Sequence, residues 1–288
     1  MRTNQDCLRA DVVGGEFGGS IGRGVLGATA ALACLCGSAQ AQLINLDALH
    51  DVLGGGDGCE REFTDEFFLD KRVLGSTGRN MFFSLRPCYR LILEGEDDGE
   101  LVRLEITCMP QTRLICIEED DRPICVRTRV IEEREYKDGV LFEVSLNYYA
   151  RDRKTNDILY FGEDVCFYDE NGDCVSTDGS WLAGVDGAEP GIIMPGTFLL
   201  GSAYYQEIAP DVALDRAYHA EMDLEVEVPA GTFDDCVFVL EDSDFEPGVY
   251  SEKTYAPGVG LISDGELELI WFGQIDGCSG SPDATEEE

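Results

Sequence analysis

Histidine, tryptophan and positive charge are scarce in this sequence. It has two His, two Trp, and 21 Lys plus Arg against 58 Asp plus Glu. Each shortage removes function classes. A net charge of −37 has the wrong sign for nucleic acid, whose binding rests on neutralising phosphates with Lys and Arg. It also repels anionic lipid headgroups. With only His50 and His219, and no C-x₂-C pair, structural zinc lacks a ligand set of the usual spacing. There is no H-E-x-x-H and no G-x-S-x-G. Ser180 sits in Gly179-Ser180-Trp181-Leu182 without the second glycine, so the sharp nucleophile turn of the α/β-hydrolases is missing. No fixed-period repeat is present, against a propeller or solenoid. No stretch beyond Ala41 is long and apolar enough for a transmembrane helix.

The N-terminus carries an export pattern. Arg23 precedes the apolar run Val25 to Cys36, and Ala39-Gln40-Ala41 follows as a small-x-small cleavage site. This order predicts a secretory signal peptide over residues 1–41, and hence a periplasmic or extracellular protein. Cys34 invites a lipid-anchored reading, but Ala31 stands where such signals carry Leu. The charges of the removed segment cancel, so the mature chain stays strongly acidic. A solvating coat is the plain reading of that charge.

In an oxidising compartment cysteines are read first as disulfide partners. Cys59, Cys88, Cys108, Cys116, Cys125, Cys166, Cys174 and Cys278 are the bridge candidates. The odd one, Cys236, lies in the apolar run Cys236 to Leu240 and is expected to be a free core thiol. Cys166 and Cys174 flank Asp169-Glu170-Asn171-Gly172, as across a hairpin.

Residues 42–80 read as a lead-in, partly helical over Leu43 to Leu53 or disordered, and broken at Gly54 to Gly58. From 81 to 276 the pattern is of strands. Turn signals at Asp98-Gly99, Asp138-Gly139, Asn171-Gly172, Ala230-Gly231 and Asp264-Gly265 separate apolar or alternating runs. Residues 179–201, rich in Gly and Pro, read as a long irregular loop that covers a sheet end and plugs the core with Trp181 and Met194. Ala217 to Val228 alternates cleanly, with Tyr218, Ala220, Met222, Leu224, Val226 and Val228 on the expected buried face. Residues 277–288 read as an acidic, disordered tail. The fold class is all-β: an antiparallel meander forming a curved sheet or half-barrel, stapled by disulfides. An outer-membrane barrel is disfavoured, because acids in many strands leave no lipid-facing band.

The segments YFGEDV (Tyr160 to Val165), GSWLAGVDGAEPGIIMPG (Gly179 to Gly196), YYQEIAP (Tyr204 to Pro210), VPAGTFDDC (Val228 to Cys236) and YAPGVGLI (Tyr255 to Ile262) together resemble a group of exported bacterial β proteins of unknown function. VPAGTF alone also resembles a segment of periplasmic half-barrel proteins related to lipoprotein carriers. The resemblance implies a β fold and brings no catalytic residues.

Chemistry has few candidates. His219, Glu221 and Asp223 alternate along one strand and are the best local metal set, set against a plain solvated face. Asp169-x-Asn171-Gly172 lacks the closing Glu of an EF-hand and is explained by a turn. Acidic runs such as Glu241-Asp242-Ser243-Asp244 leave weak calcium binding open; no other cofactor is expected. Among the aromatic and apolar residues, Tyr148, Tyr160, Trp181, Met194, Tyr204 and Trp271 are the candidate lining of a concave pocket, set against ordinary core roles. The expectation is an exported non-enzymatic protein that holds an apolar or amphipathic small molecule. The alternatives are an envelope or extracellular structural or interaction protein with an acidic, calcium-binding surface, and last a hydrolase.

Overall fold

The computed structural model describes residues 62–67, 69–118, 123–246 and 249–278. The export segment, the expected helix over Leu43 to Leu53, Cys59 and the residues beyond 278 lie outside these.

Strand follows strand, with no helix among the described residues. β1 (Leu74–Gly75) is followed by a first meander: β2 (Tyr89–Asp97), β3 (Glu100–Ile117), β4 (Ile124–Lys137), β5 (Val140–Asp152) and β6 (Ile158–Tyr168). Short strands come next: β7 (Cys174–Ser176), β8 (Trp181–Leu182), β9 (Glu189–Met194), β10 (Ala203–Tyr205) and β11 (Glu207–Ile208). A second meander closes the chain: β12 (Asp215–Val228), β13 (Gly231–Ser243), β14 (Tyr250–Ala256), β15 (Gly260–Asp264) and β16 (Leu267–Gln274). The hairpins turn where small polar and glycine residues allow left-handed backbone: Asp138 and Gly139 have φ of 49° and 80°, the pair that a two-residue turn between right-twisted strands requires.

The two meanders join along β16–β2, Leu269 opposite Leu93. The opposite seam is nearly closed by one short segment. Its first half, β10, pairs with β12, and its second half, β11, pairs with β9, itself paired with β6. The expected half-barrel is thus an antiparallel sheet nearly closed as a barrel, which leaves few open edges. Gly191 permits the closure: a Cβ there would lie 2.4 Å from the Gln206 carbonyl oxygen. Leu85, Leu93, Phe161, Ile158, Ile262 and Leu269 are fully buried within the barrel.

The expected lead-in is built into the barrel from its second half onward. Thr64 bridges Tyr204 and β1 pairs with β5. Asn80 is buried and donates to the carbonyls of Asn156 (3.0 Å) and Pro195 (2.7 Å). Buried Arg129 donates to the carbonyls of Ser76 and Pro110, both at 2.7 Å. It therefore clamps the lead-in to the irregularity between Cys108 and Thr112 in β3. The expected loop over residues 179–201 is not irregular throughout, since Ile192 to Met194 lie in β9, inside the sheet. Trp181 and Met194 do plug the core.

Three disulfides form among the described residues: Cys88–Cys278, Cys116–Cys125 and Cys166–Cys174. Cys236 is free and buried, as expected. Cys108 is also free, against its expected pairing. Its strand directs the thiol into the barrel, 2 % exposed, whereas Cys116 and Cys125 face each other directly across β3–β4.

Candidate functional site

The expected metal face does not assemble. Alternation in β12 is interrupted by register shifts between His219 and Glu221 and between Glu221 and Leu224, with Asp223 at φ 60°. Before the shifts Ala217 and His219 face the core; after them Val228 does, and Met222 is turned out. A bulge changes which alternate residues share a face. His219 is therefore fully buried while Asp223 is exposed.

The His219 ring is consumed by the core. It stacks on Phe198 with centroids 3.7 Å apart. Nε2 lies 3.0 Å from the Tyr204 hydroxyl and Nδ1 3.2 Å from the Leu199 carbonyl oxygen. Nδ1 also lies 3.4 Å from the Leu199 N–H, so either neutral tautomer satisfies both ring nitrogens. Burial pushes its pKa down to about 4. No group of three or more His, Cys, Asp or Glu among the described residues is arranged to hold a metal. The acidic run of β13 is also engaged: Asp242 and Asp244 pair with Arg216, and Glu241 pairs with Lys253. Asp169 accepts from the backbone N–H groups of Asn171 (2.9 Å) and Asp173 (3.0 Å), as a turn residue.

The barrel holds a partly open pocket with an empty volume of about 670 Å³, its mouth included. Its apolar wall comes from Leu91 of β2, Ile106 and Cys108 of β3, Ile131 of β4, Tyr149 of β5, Tyr255 of β14 and Leu261 of β15, with Phe82 and Phe83 of the lead-in. One region of the wall is ionic: Glu133 of β4, Lys253 of β14 and Asp264 of β15. Cross-strand register explains the mixture. Ile106 opposes Glu133 and Lys253 opposes Asp264, and directly opposed residues share a face.

None of the six expected lining residues is on this wall. Tyr160 stands behind it, stacked on Tyr149 at 4.8 Å, with Trp181 edge-on to Tyr160 at 5.1 Å. Met194 and Tyr204 are core residues. Tyr148 lies on the opposite face of β5 from Tyr149, under the Arg113 guanidinium 4.6 Å above its ring. Trp271 is 40 % exposed, because a register shift between Leu269 and Trp271 breaks the alternation of β16. Sequence reasoning passed over Glu133, Lys253 and Asp264. The available signal was a lysine two residues from an aromatic, Lys253 and Tyr255, in one strand.

The ionic region is short of cations. Lys253 Nζ lies 2.9 Å from Glu241 Oε2 and 3.8 Å from Asp264 Oδ2, and Lys253 is the single basic residue lining the pocket. Burial raises the Glu133 carboxyl to about 7, opposed by Lys253 and assisted by Asp264, Glu143 and Glu241. Burial likewise raises Glu163 to about 8 and holds Asp264 above its ordinary value. Glu207, buried at the seam, accepts from the Asp215 backbone N–H at 2.9 Å; burial and the Asp215 charge push it well up. Burial raises the Cys108 thiol to about 12, so it is a wall residue and not a nucleophile at neutral pH.

The chain matches no protein-family profile, no curated protein and no solved structure. No helix among the described residues is long and apolar enough to cross a membrane.

Proposed function

We propose that this is an exported, non-enzymatic protein that takes an amphipathic small molecule into the barrel pocket. The carrying observation is the composition of the wall: a continuous apolar lining with one ionic region at Glu133, Lys253 and Asp264. Small-molecule sites have this make-up, an apolar body with few polar groups that fix orientation. Three disulfides are compatible with residence outside the reducing cytoplasm. The unreactive setting of His219 and Cys108 supports binding over nucleophilic catalysis.

The test is titration with phenylnaphthylamine, an uncharged dye that brightens in apolar surroundings. Saturable binding at one dye per chain is expected. Leu261→Trp and Ile131→Phe, which fill the pocket, are each expected to weaken it by about tenfold or more (about 1.4 kcal/mol) while the far-ultraviolet circular dichroism is retained. No saturable binding, or binding that ignores both substitutions, overturns the reading.

A further inference from the structure

The pocket's ionic region is unequal. Lys253 is already engaged by Glu241 and Asp264. Glu133 reaches the same pocket from β4, where it is half-buried, and its carboxyl forms no ion pair among the described residues. A half-buried carboxyl facing an apolar pocket becomes costly to keep ionised once a ligand displaces its water, unless a cation or several donors meet it. An anionic head group arriving here meets Glu133, Asp264 and Glu241 around one lysine that is already neutralised. A cationic head group meets a carboxyl with nothing else to bind.

We propose that the ligand's polar end is a protonated amine, held by Glu133, with its apolar body against Leu91, Ile106, Ile131 and Leu261. This rests on the reading of the pocket as a ligand site and adds the chemical class of the ligand: a small alkyl or arylalkyl amine. Lys253 has a supporting role, holding Asp264 and Glu241 in place and repelling a second cation. The raised carboxyl of Glu133 fits the assignment, since an ammonium draws it into the ionised form and the bound pair shares one charge-assisted hydrogen bond.

The experiment displaces phenylnaphthylamine with three ligands of equal chain length: n-octylamine, n-octanol and n-octanoate. The expected order is amine first by about tenfold (about 1.4 kcal/mol), then alcohol, then carboxylate. Glu133→Gln keeps the size and removes the charge. It is expected to abolish the amine's advantage over octanol, with retained far-ultraviolet circular dichroism showing that the fold is kept. Lys253→Met is expected to strengthen octylamine and not to create octanoate binding; its folding is checked by dye affinity. Octanoate binding as tightly as octylamine overturns the amine assignment, as does an amine preference that survives Glu133→Gln. If the dye itself does not bind, the pocket reading fails, and the assignment with it. If the dye binds but the head groups do not differ, only the assignment fails.

Discussion

Lys253 reaches Glu241 diagonally across the β13–β14 pair, Nζ to Oε2 at 2.9 Å, beside a pocket whose other charged lining groups are carboxyls. Their backbones are offset in register, since Lys253 opposes Val239 and Glu241 opposes Ser251. The lysine therefore leans along the sheet to its partner. It also stands 3.8 Å from Asp264, so one ammonium separates two carboxylates that would otherwise repel.

Lys253→Met removes that separation. Breaking one side of an enclosed ion pair typically costs about 3 kcal/mol or more, and the pair is partly hydrated here, so a loss of about 2–3 kcal/mol is expected at slightly alkaline pH. The loss shrinks at acidic pH, where protonation of Asp264, whose carboxyl burial holds above its ordinary value, removes the repulsion. Urea unfolding at the two pH values checks both parts. An equal loss at both would assign the effect to packing of the lysine stem.

Stability is expected to fall as pH rises above neutrality. Glu133 and Glu163, raised to about 7 and about 8, bind more protons folded than unfolded over the interval from the ordinary carboxyl value up to those values. Their contribution is complete below that interval and is lost as pH climbs through it. His219 has the opposite sign. Lowered to about 4, it contributes fully above its unfolded value of about 6.5 and loses that contribution as pH falls. Between about pH 6.5 and 8.5 the carboxyls dominate, so Tm declines across that window. Glu163→Gln and Glu133→Gln should each flatten the decline. A Tm constant across the window would count against the enclosed setting of both groups.

His219 holds Tyr204 and the backbone of Leu199 together in the core. His219→Ala removes the ring from between Phe198 and Tyr204 and leaves a buried hydroxyl without its partner. Cavity and lost hydrogen bond together should cost about 3–5 kcal/mol. Adding zinc should not raise the Tm of the wild-type protein. A zinc-dependent rise lost in His219→Ala would reinstate the metal face.

The disulfides should differ in worth. Cys88 and Cys278 are 190 residues apart, while Cys166 and Cys174 are eight apart. By loop-closure entropy the first contributes about 5 kcal/mol and the second about 2.5 kcal/mol. Paired Cys→Ala variants measured in urea should keep that order. Cys108 and Cys236, buried and with raised thiol pKa values, should resist a thiol reagent in the native state and react when the chain is unfolded. A fast native reaction at either would contradict the burial.

Much of the β architecture was legible in the residues because turns are written locally. Asp138-Gly139 and Asp98-Gly99 supply left-handed backbone, and apolar runs between such signals can only be strands of about those lengths. Cys166 and Cys174 bracket one such turn, so their bridge could be anticipated. Cys108 was misjudged because nearness in sequence to Cys116 and Cys125 says nothing of which face of β3 it occupies.

The site was much less legible. Alternation assigns faces only while register is unbroken, and both β12 and β16 carry a shift. The bulges after His219 move it into the core and Asp223 out; the one before Trp271 turns that ring to solvent. The pocket adds a second difficulty. Glu133, Lys253 and Asp264 come from three strands, and β4 meets the second meander only through barrel closure. Composition and turns are local properties of the chain, and they followed from the residues. Closure along β16–β2 and at the β9–β11 seam depends on pairing between residues far apart in the chain. That pairing brings Glu133 of one meander and Lys253 of the other into one pocket.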